Sequence, residues 1–354
     1  MTSIGHHFHL LRVQSIRPVA DDAIEIRFEP PGGEAAAAFE HQPGQHLTLR
    51  QGELRRSYSL CVAPGQGLSV AVRRVPRGVF SNALHDGLRP GDCIDALPPD
   101  GRFGAALARE PRHVLLVAAG SGITPIKSIA EVQLARGGQV TLLYANRQLS
   151  SAMFAEDLAA LKNRHLGRFT LHHLLSREAV DSPLGQGRVD REMLGTVMRL
   201  AGPVQQVFVC GPHGFNDTVQ ADLLALGLPE EAVHVERFGV PPDAAGPAGA
   251  ATPAAVAGTH LIVVRDGRRR EIAWDDAVAG GADNVLSAAI AAGLDLPFSC
   301  RSGVCATCRA RVLEGAVAMR RNFALDAADL AAGDVLACQA VPTRGRVVIS
   351  FDER

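Results

Sequence analysis

The chain has 354 residues, 47% of them hydrophobic and 21% charged, with 36 basic and 37 acidic side chains. That is ample apolar material for buried cores, and the length points to two or three domains, so disorder throughout is excluded. The near balance of charge leaves no global positive field, which argues against nucleic acid or an anionic membrane surface as a partner.

No run of about 18 apolar residues and no cationic, apolar leader stands out, so neither a spanning helix nor a secretory signal is expected, and the cytoplasm is the expected location. Lysine stands only at 127 and 162; no function attaches to that bias.

From Ala23 to Asp95, the segments AIEIRF, QHLTLR and LSVAVRR place apolar side chains at every second position, as half-buried antiparallel strands do. Pro43-Gly44, Pro64-Gly65 and Pro90-Gly91 supply turns between them, and an antiparallel β-barrel domain over residues 1–110 is predicted. From His113 the strands become continuous apolar runs, HVLLVAA, QVTLLYA and QVFVC, separated by helical periodicity at 125–136 and 153–166. That pattern predicts a parallel sheet covered on both faces, an α/β domain over 111–238. Residues 239–258, rich in Gly, Pro and Ala, read as a linker. Beyond it, HLIVV and REIAW read as a hairpin about Asp266-Gly267, and VLSAAIAAGLDL as a helix, within an α+β domain over 259–354.

Seven cysteines in a reducing compartment are not a disulfide framework. Cys300, Cys305 and Cys308 form C-x4-C-x2-C with Cys338 further on, which is the plant-type [2Fe-2S] spacing. Three thiolates so close in sequence converge only from a loop, and Gly303 can supply a positive φ there while backbone amides approach the sulfurs. Structural zinc uses two separated C-x2-C-type pairs instead. Cys61 and Cys93 read as small buried fillers. No HExxH or Ser-His-Asp arrangement supports hydrolysis.

GSGITP follows HVLLVAAG and opens a helix. Gly120 and Gly122 permit a tight turn with bare backbone facing a ligand, Thr124 suits the N-cap and Pro125 the first helical position, so free amides and the helix dipole offer a pyrophosphate site. A glycine-rich turn of this kind is also an ordinary strand-to-helix connection, and the third glycine of the dinucleotide fingerprint is missing. In Arg56-Ser57-Tyr58-Ser59 the tyrosine can stack on a flat ring and the arginine neutralise a phosphate. Gly78 and Ser81, at a helix start, can present amides to a second pyrophosphate.

RSYS, GVFS, GSGITP, CGP at 210–212 and ERF at 236–238, in that order, resemble the ferredoxin-NADP reductase superfamily, with a plant-type ferredoxin module at the C-terminus. Within it the chain is similar to the reductases that serve bacterial phenylacetyl-CoA epoxidases, through QPGQHLTL, ELRRSYSL, LPPDGRFG, AAGSGITP, CGP, HVERF and CRSGVCATC. The resemblance implies a multidomain fold: an FAD-binding β-barrel, an NAD(P)-binding α/β domain and a β-grasp ferredoxin domain. It implies that Arg56 binds flavin phosphate, that Ser57 stands within the flavin motif, that Tyr58 packs on the isoalloxazine and that Ser59 hydrogen-bonds flavin N5. Gly78 and Ser81 would hold the FAD pyrophosphate, and Val72 and Arg73 would line the flavin tail. Gly120, Gly122 and Thr124 would take the nicotinamide dinucleotide pyrophosphate, Cys210, Gly211 and Pro212 would shape the nicotinamide pocket, and Phe238 would cover the flavin or simply pack in the core. FMN is the alternative flavin.

NAD sites place a carboxylate near the end of the second strand, whereas NADP sites offer arginine. Here Ala145-Asn146-Arg147 follows QVTLLY with no acid, and Ser176 and Arg177 can complete a phosphate site, so NADPH is favoured with NADH as the alternative. Flavin would bridge a hydride donor and a one-electron cluster. The expected activity is an NAD(P)H-dependent oxidoreductase that passes electrons to a separate di-iron oxygenase of phenylacetate catabolism. The alternatives are another acceptor (a ring-hydroxylating oxygenase, a desaturase or a hybrid-cluster protein) or a redox sensor without turnover. A monomer is expected.

Overall fold

The computed structural model describes residues 7–33, 35–180, 184–239, 258–343 and 345–353. The expected linker therefore lies, apart from its two end residues, outside the described residues. The chain divides into two compact units, Phe8–Phe238 and a C-terminal unit from Gly239.

The first unit opens with strands β1 (His9–Ala20), β2 (Ala23–Phe28), β3 (His46–Gln51), β4 (Leu54–Ser59), β5 (Leu68–Arg73) and β6 (Cys93–Asp100), with helices α1 (Ala35–Ala38) and α2 (Val79–Gly87) between them. The six strands form one sheet in the order β4-β3-β6-β1-β2-β5, every neighbouring pair antiparallel. An antiparallel bridge from Leu60, just past β4, to Val70 of β5 ties the two edges together. Alternation explains the filling: Leu47 and Leu49, like Val70 and Val72, are spaced by two and point inward, all completely buried. Cys61 is buried as expected, but Cys93 is exposed. It is the first residue of β6, where the strand has yet to enter the packed part of the sheet.

The second half of this unit carries β7 (His113–Ala119), α3 (Ile123–Ala135), β8 (Gln139–Asn146), α4 (Ala155–Arg164), β9 (Phe169–Leu175), α5 (Arg191–Ala201), β10 (Gln206–Cys210), α6 (His213–Ala225) and β11 (Val233–Glu236). The order is β11-β10-β7-β8-β9, all parallel. Every residue of β7 and β10 is buried, which is why these strands read as unbroken apolar runs. The chain leaves β7 toward β8 and β9, then returns to the other side of β7 for β10 and β11. The reversal opens a crevice at the C-terminal ends of β7 and β10, the usual ligand position in such sheets.

The C-terminal unit holds β12 (His260–Arg265), β13 (Arg268–Ala273), α7 (Trp274–Ala279), α8 (Val285–Ala291), β14 (Arg309–Glu314), β15 (Val317–Met319), α9 (Ala327–Ala331), β16 (Asp334–Leu336), β17 (Ala340–Pro342) and β18 (Arg346–Ser350). Its main sheet runs β13-β12-β18-β14-β16, with a single parallel pair, β12 and β18, among antiparallel ones. The β12–β13 hairpin turns through Asp266 and Gly267, both at positive φ (52° and 71°), as a two-residue type I′ turn requires. Asn284 caps α8 by accepting from the Ser287 amide at 2.9 Å, and the helix packs Val285, Leu286, Ala288 and Ala289 onto the sheet.

Candidate active site and cluster site

Barrel and parallel sheet share a cleft of about 1230 Å³. From the barrel, Ser57, Tyr58, Ser59, Arg73 and Ser81 line it; from the sheet, Gly120, Thr124, Arg147, Ser176 and Pro212, with Phe238 beyond β11. Motifs scattered over 180 residues are thus brought to one space because β4 and β5 end where β7, β8 and β10 end.

On the barrel side, Tyr58 stacks on Phe80 with centroids 6.1 Å apart, and burial pushes its hydroxyl up to about 12, so it serves as a neutral flat surface. Ser57 shares a hydroxyl hydrogen bond of 3.1 Å with Thr48. Arg56 is exposed and donates to the Arg55 carbonyl at 2.7 Å, outside the lining of the cleft. Val72 is corrected: its side chain is fully buried in the barrel core, while Ala71 and Arg73 face the cleft, since adjacent strand residues point to opposite faces. Arg73 donates to the Ser151 carbonyl at 2.6 Å. Gly78 is needed sterically, because a Cβ there would lie 2.8 Å from Ser81 Oγ, and that hydroxyl accepts from the Val75 amide at 3.2 Å. No side chain caps α2, so its first amides remain for a ligand.

On the sheet side, Gly120 takes φ +55°, but Gly122 acts differently from the expectation. A Cβ on it would sit 2.0 Å from the Cys210 carbonyl oxygen, so it lets the turn after β7 lie against the end of β10 instead of facing a ligand. Thr124 is also not the cap. The helix starts at Ile123 with Gly122 at the cap position, because residues 120–122 form a 3-10 turn that feeds straight into α3, and the buried Thr124 hydroxyl donates to the Ser121 carbonyl at 3.0 Å. Pro125 falls inside the first turn, where its missing N–H costs no hydrogen bond. Cys210 is fully buried and its thiol is pushed well up by burial and by Glu236. Gly211 has no room for a side chain, a Cβ there falling 2.5 Å from the Phe215 ring, and Pro212 caps α6. Phe238 is 45% exposed, which sets aside simple core packing.

Two residues escaped the sequence reading. Glu236, at the end of β11, lies 3.5 Å from Ser59 Oγ, which donates to it, and burial pushes its carboxyl up to about 8. Arg188 joins Arg147 and Ser176 at the lining, whereas Arg177 is tied there through its backbone, its amide donating to the Arg147 carbonyl at 2.8 Å. Among the described residues the only carboxylate in the lining is Asp22, against Arg73, Arg74, Arg147 and Arg188. A large cleft with one aromatic platform, excess positive charge and uncapped amides fits flavin and nicotinamide dinucleotides.

In the C-terminal unit the loop between α8 and β14 places Arg301, Gly303 and Ala306 at positive φ (54°, 81° and 55°), folding the chain around its sulfurs. The cysteines come as two thiol pairs in hydrogen-bond contact, Cys300 with Cys305 and Cys308 with Cys338. Within each pair one thiol is lowered and the other raised, as when two sulfurs share a proton. The Ser302 amide donates to Cys300 Sγ and Gln339 Nε2 to Cys338 Sγ, each at 3.4 Å. Among the described residues no three or more His, Cys, Asp or Glu converge on one ion position. Two thiolates for each of two irons fits a [2Fe-2S] cluster better than four around one zinc.

Family models for the oxidoreductase FAD-binding domain, the oxidoreductase NAD-binding domain and the 2Fe-2S iron-sulfur cluster binding domain match residues 10–104, 116–221 and 274–343. The chain is 38% identical to one of the subunits of the 1,2-phenylacetyl-CoA epoxidase of Escherichia coli, over 98% of each chain. It is 34% identical to the ferredoxin reductase component of the 3-ketosteroid-9-alpha-monooxygenase of Mycobacterium tuberculosis, over 99% of this chain and 98% of that one. Phthalate dioxygenase reductase has the same fold, with a TM-score of 0.59 at 24% identity over 97% of this chain and 98% of its own. A chain carrying FAD-binding, NAD-binding and [2Fe-2S] domains in this order, matched end to end by such relatives, belongs to the family of reductase components of multicomponent oxygenases.

Proposed function

We propose that this reductase takes hydride from NADPH at the shared cleft and delivers electrons one at a time, through its cluster, to a separate di-iron oxygenase acting on phenylacetyl-CoA. The observation that carries it is the opening of the Tyr58–Ser59 strand end and the switch-point loops after β7 and β10 on one cleft. FAD and the [2Fe-2S] cluster, when bound, convert a two-electron donor into a one-electron supply.

The residues orient and exclude. Tyr58, backed by the buried Phe80, presents a flat apolar wall for a ring, and Ser59 supplies a hydroxyl at its edge. Pro212, which lines the cleft directly after the buried Cys210 and Gly211, forms the floor on which nicotinamide would rest, and Phe238 would cover the opposite face. Glu236, protonated at neutral pH, holds a proton next to the Ser59 hydroxyl. Arg147, Ser176, Arg177 and Arg188 would receive a 2′-phosphate, and Asn146 occupies the strand-end position where an NAD enzyme has its carboxylate. Cys300, Cys305, Cys308 and Cys338 would ligate the cluster. A monomer is proposed. No described helix is long and apolar enough to cross a membrane, and a cytoplasmic location is proposed.

The acceptor rests on likeness to the epoxidase component; the ketosteroid monooxygenase component supports the second reading, a different oxygenase. Anaerobic titration with NADPH should bleach flavin and cluster absorbance together. A flavin that fills while the cluster stays oxidised refutes the relay, and failure of the purified epoxidase oxygenase to turn over with this reductase refutes the acceptor.

A further inference from the structure

Behind the cleft, barrel and sheet meet along a polar seam that the mechanism above does not use. Lys127, on the second turn of α3, is buried, and its ammonium donates to the Cys61 carbonyl at 3.0 Å and to Glu131 Oε1 at 2.6 Å. The other oxygen of Glu131 accepts from the Ala63 amide at 2.9 Å. Between them Ser128 Oγ donates to the Val62 carbonyl at 2.7 Å. Polar groups on successive turns of one helix thus hold the backbone of residues 61–63 on the barrel. The ammonium also stands 5.2 Å from the ring centre of Phe154, whose own amide crosses the seam to the Val19 carbonyl at 3.0 Å.

The placement matters more than the strength. Residue 61 is two positions past Ser59, and Lys127 three past Thr124; Ser59 and Thr124 both line the cleft. Apolar contact is non-directional and lets packed surfaces slide, whereas these bonds run to individual backbone atoms and fix register. A buried ion pair is weak evidence for stability and is best attested as a device for specifying one arrangement.

We propose that Lys127 and Glu131, with Ser128, are positioning residues that set the separation between the flavin edge of the barrel and the nicotinamide floor of the sheet. This rests on the function proposed above. The test compares the full-length holoprotein with Lys127→Met/Glu131→Leu and with Ser128→Ala, which strands no charge. Limiting rate of flavin reduction and NADPH Kd are separated by stopped flow, and melting temperature and amide exchange at Ala63 are followed alongside.

A displacement of about 1 Å costs about 100-fold in rate, so a looser seam should slow the double variant at least about tenfold. Its Kd should stay within about twofold, its melting temperature should remain close to that of the native chain, and exchange at Ala63 should rise at least about tenfold. Ser128→Ala should show a smaller rate loss in the same direction, and it decides the matter if the double variant does not load flavin. Variants that melt like the native chain and keep its limiting rate overturn the proposal, as does a rate loss that only tracks the loss of melting temperature. A native protein whose flavin NADPH does not reduce overturns the functional reading itself, and that result comes from the control and not from the variants.

Discussion

Glu236→Gln isolates the one acid buried beside the Ser59 hydroxyl. Burial raises this carboxyl from 4.5 to about 8, so between those values the folded chain holds a proton that the unfolded chain has released. Stability must therefore fall as pH rises from about 4.5 toward 8 and level off above it. At about 1.36 kcal/mol per unit the ceiling is about 4–5 kcal/mol, and solvent reaching the carboxyl lowers it to about 2–3 kcal/mol. Glutamine keeps the shape and cannot ionise, so the variant should match the native protein at pH 5 and exceed it at pH 9. Urea unfolding across that range reads the difference directly. Reduction of bound flavin by NADPH should decline with an apparent pKa near 8 in the native protein and lose that limb in the variant. A stability difference independent of pH, or a larger advantage at low pH, would refute the assignment of a protonated Glu236.

Cys305→Ser should abolish electron delivery to the oxygenase while ferricyanide reduction by the flavin continues; equal loss of both, measured in parallel assays, would contradict the division of labour between the units. Arg147→Ala removes a charge-assisted phosphate contact worth about 1.5–3 kcal/mol, so KM for NADPH should rise about 10- to 100-fold with little change for NADH. Gly122→Ala places a methyl 2.0 Å from the Cys210 carbonyl; the turn must shift, with a stability loss of about 1–3 kcal/mol in thermal melts and weaker nucleotide binding. Asp334, whose side chain is fully buried between the guanidinium groups of Arg309 and Arg311, joins the strand after Cys308 to the strand before Cys338. Asp334→Asn should cost about 1–3 kcal/mol, since both arginines keep access to solvent and Arg309 keeps Asp329, read as earlier loss of cluster absorbance in urea.

What was legible in the sequence, and what was not, follows from the range over which each feature is determined. Strand type could be read because burial is written residue by residue: alternation in AIEIRF marks a one-sided strand, and the unbroken run HVLLVAA marks one covered on both faces. The cysteine spacing could be read because a loop sets it locally. The roles of Gly122 and Val72 could not. The first depends on a carbonyl 88 positions away in the chain, at Cys210, and the second on which face of β5 turns inward, a parity that a residue list does not carry. Glu236 went unseen for a related reason. ERF marked the end of the domain, but a carboxyl is shifted by what surrounds it, and its surroundings come from β4 and β10, far off in sequence. Lys127 is the sharpest case. In the sequence it is one of two lysines among arginines with no function attached to it, and only the folded chain shows its ammonium bound to backbone across a seam. A motif states which groups a cofactor needs, and the distance between those groups is left to residues that carry no motif at all.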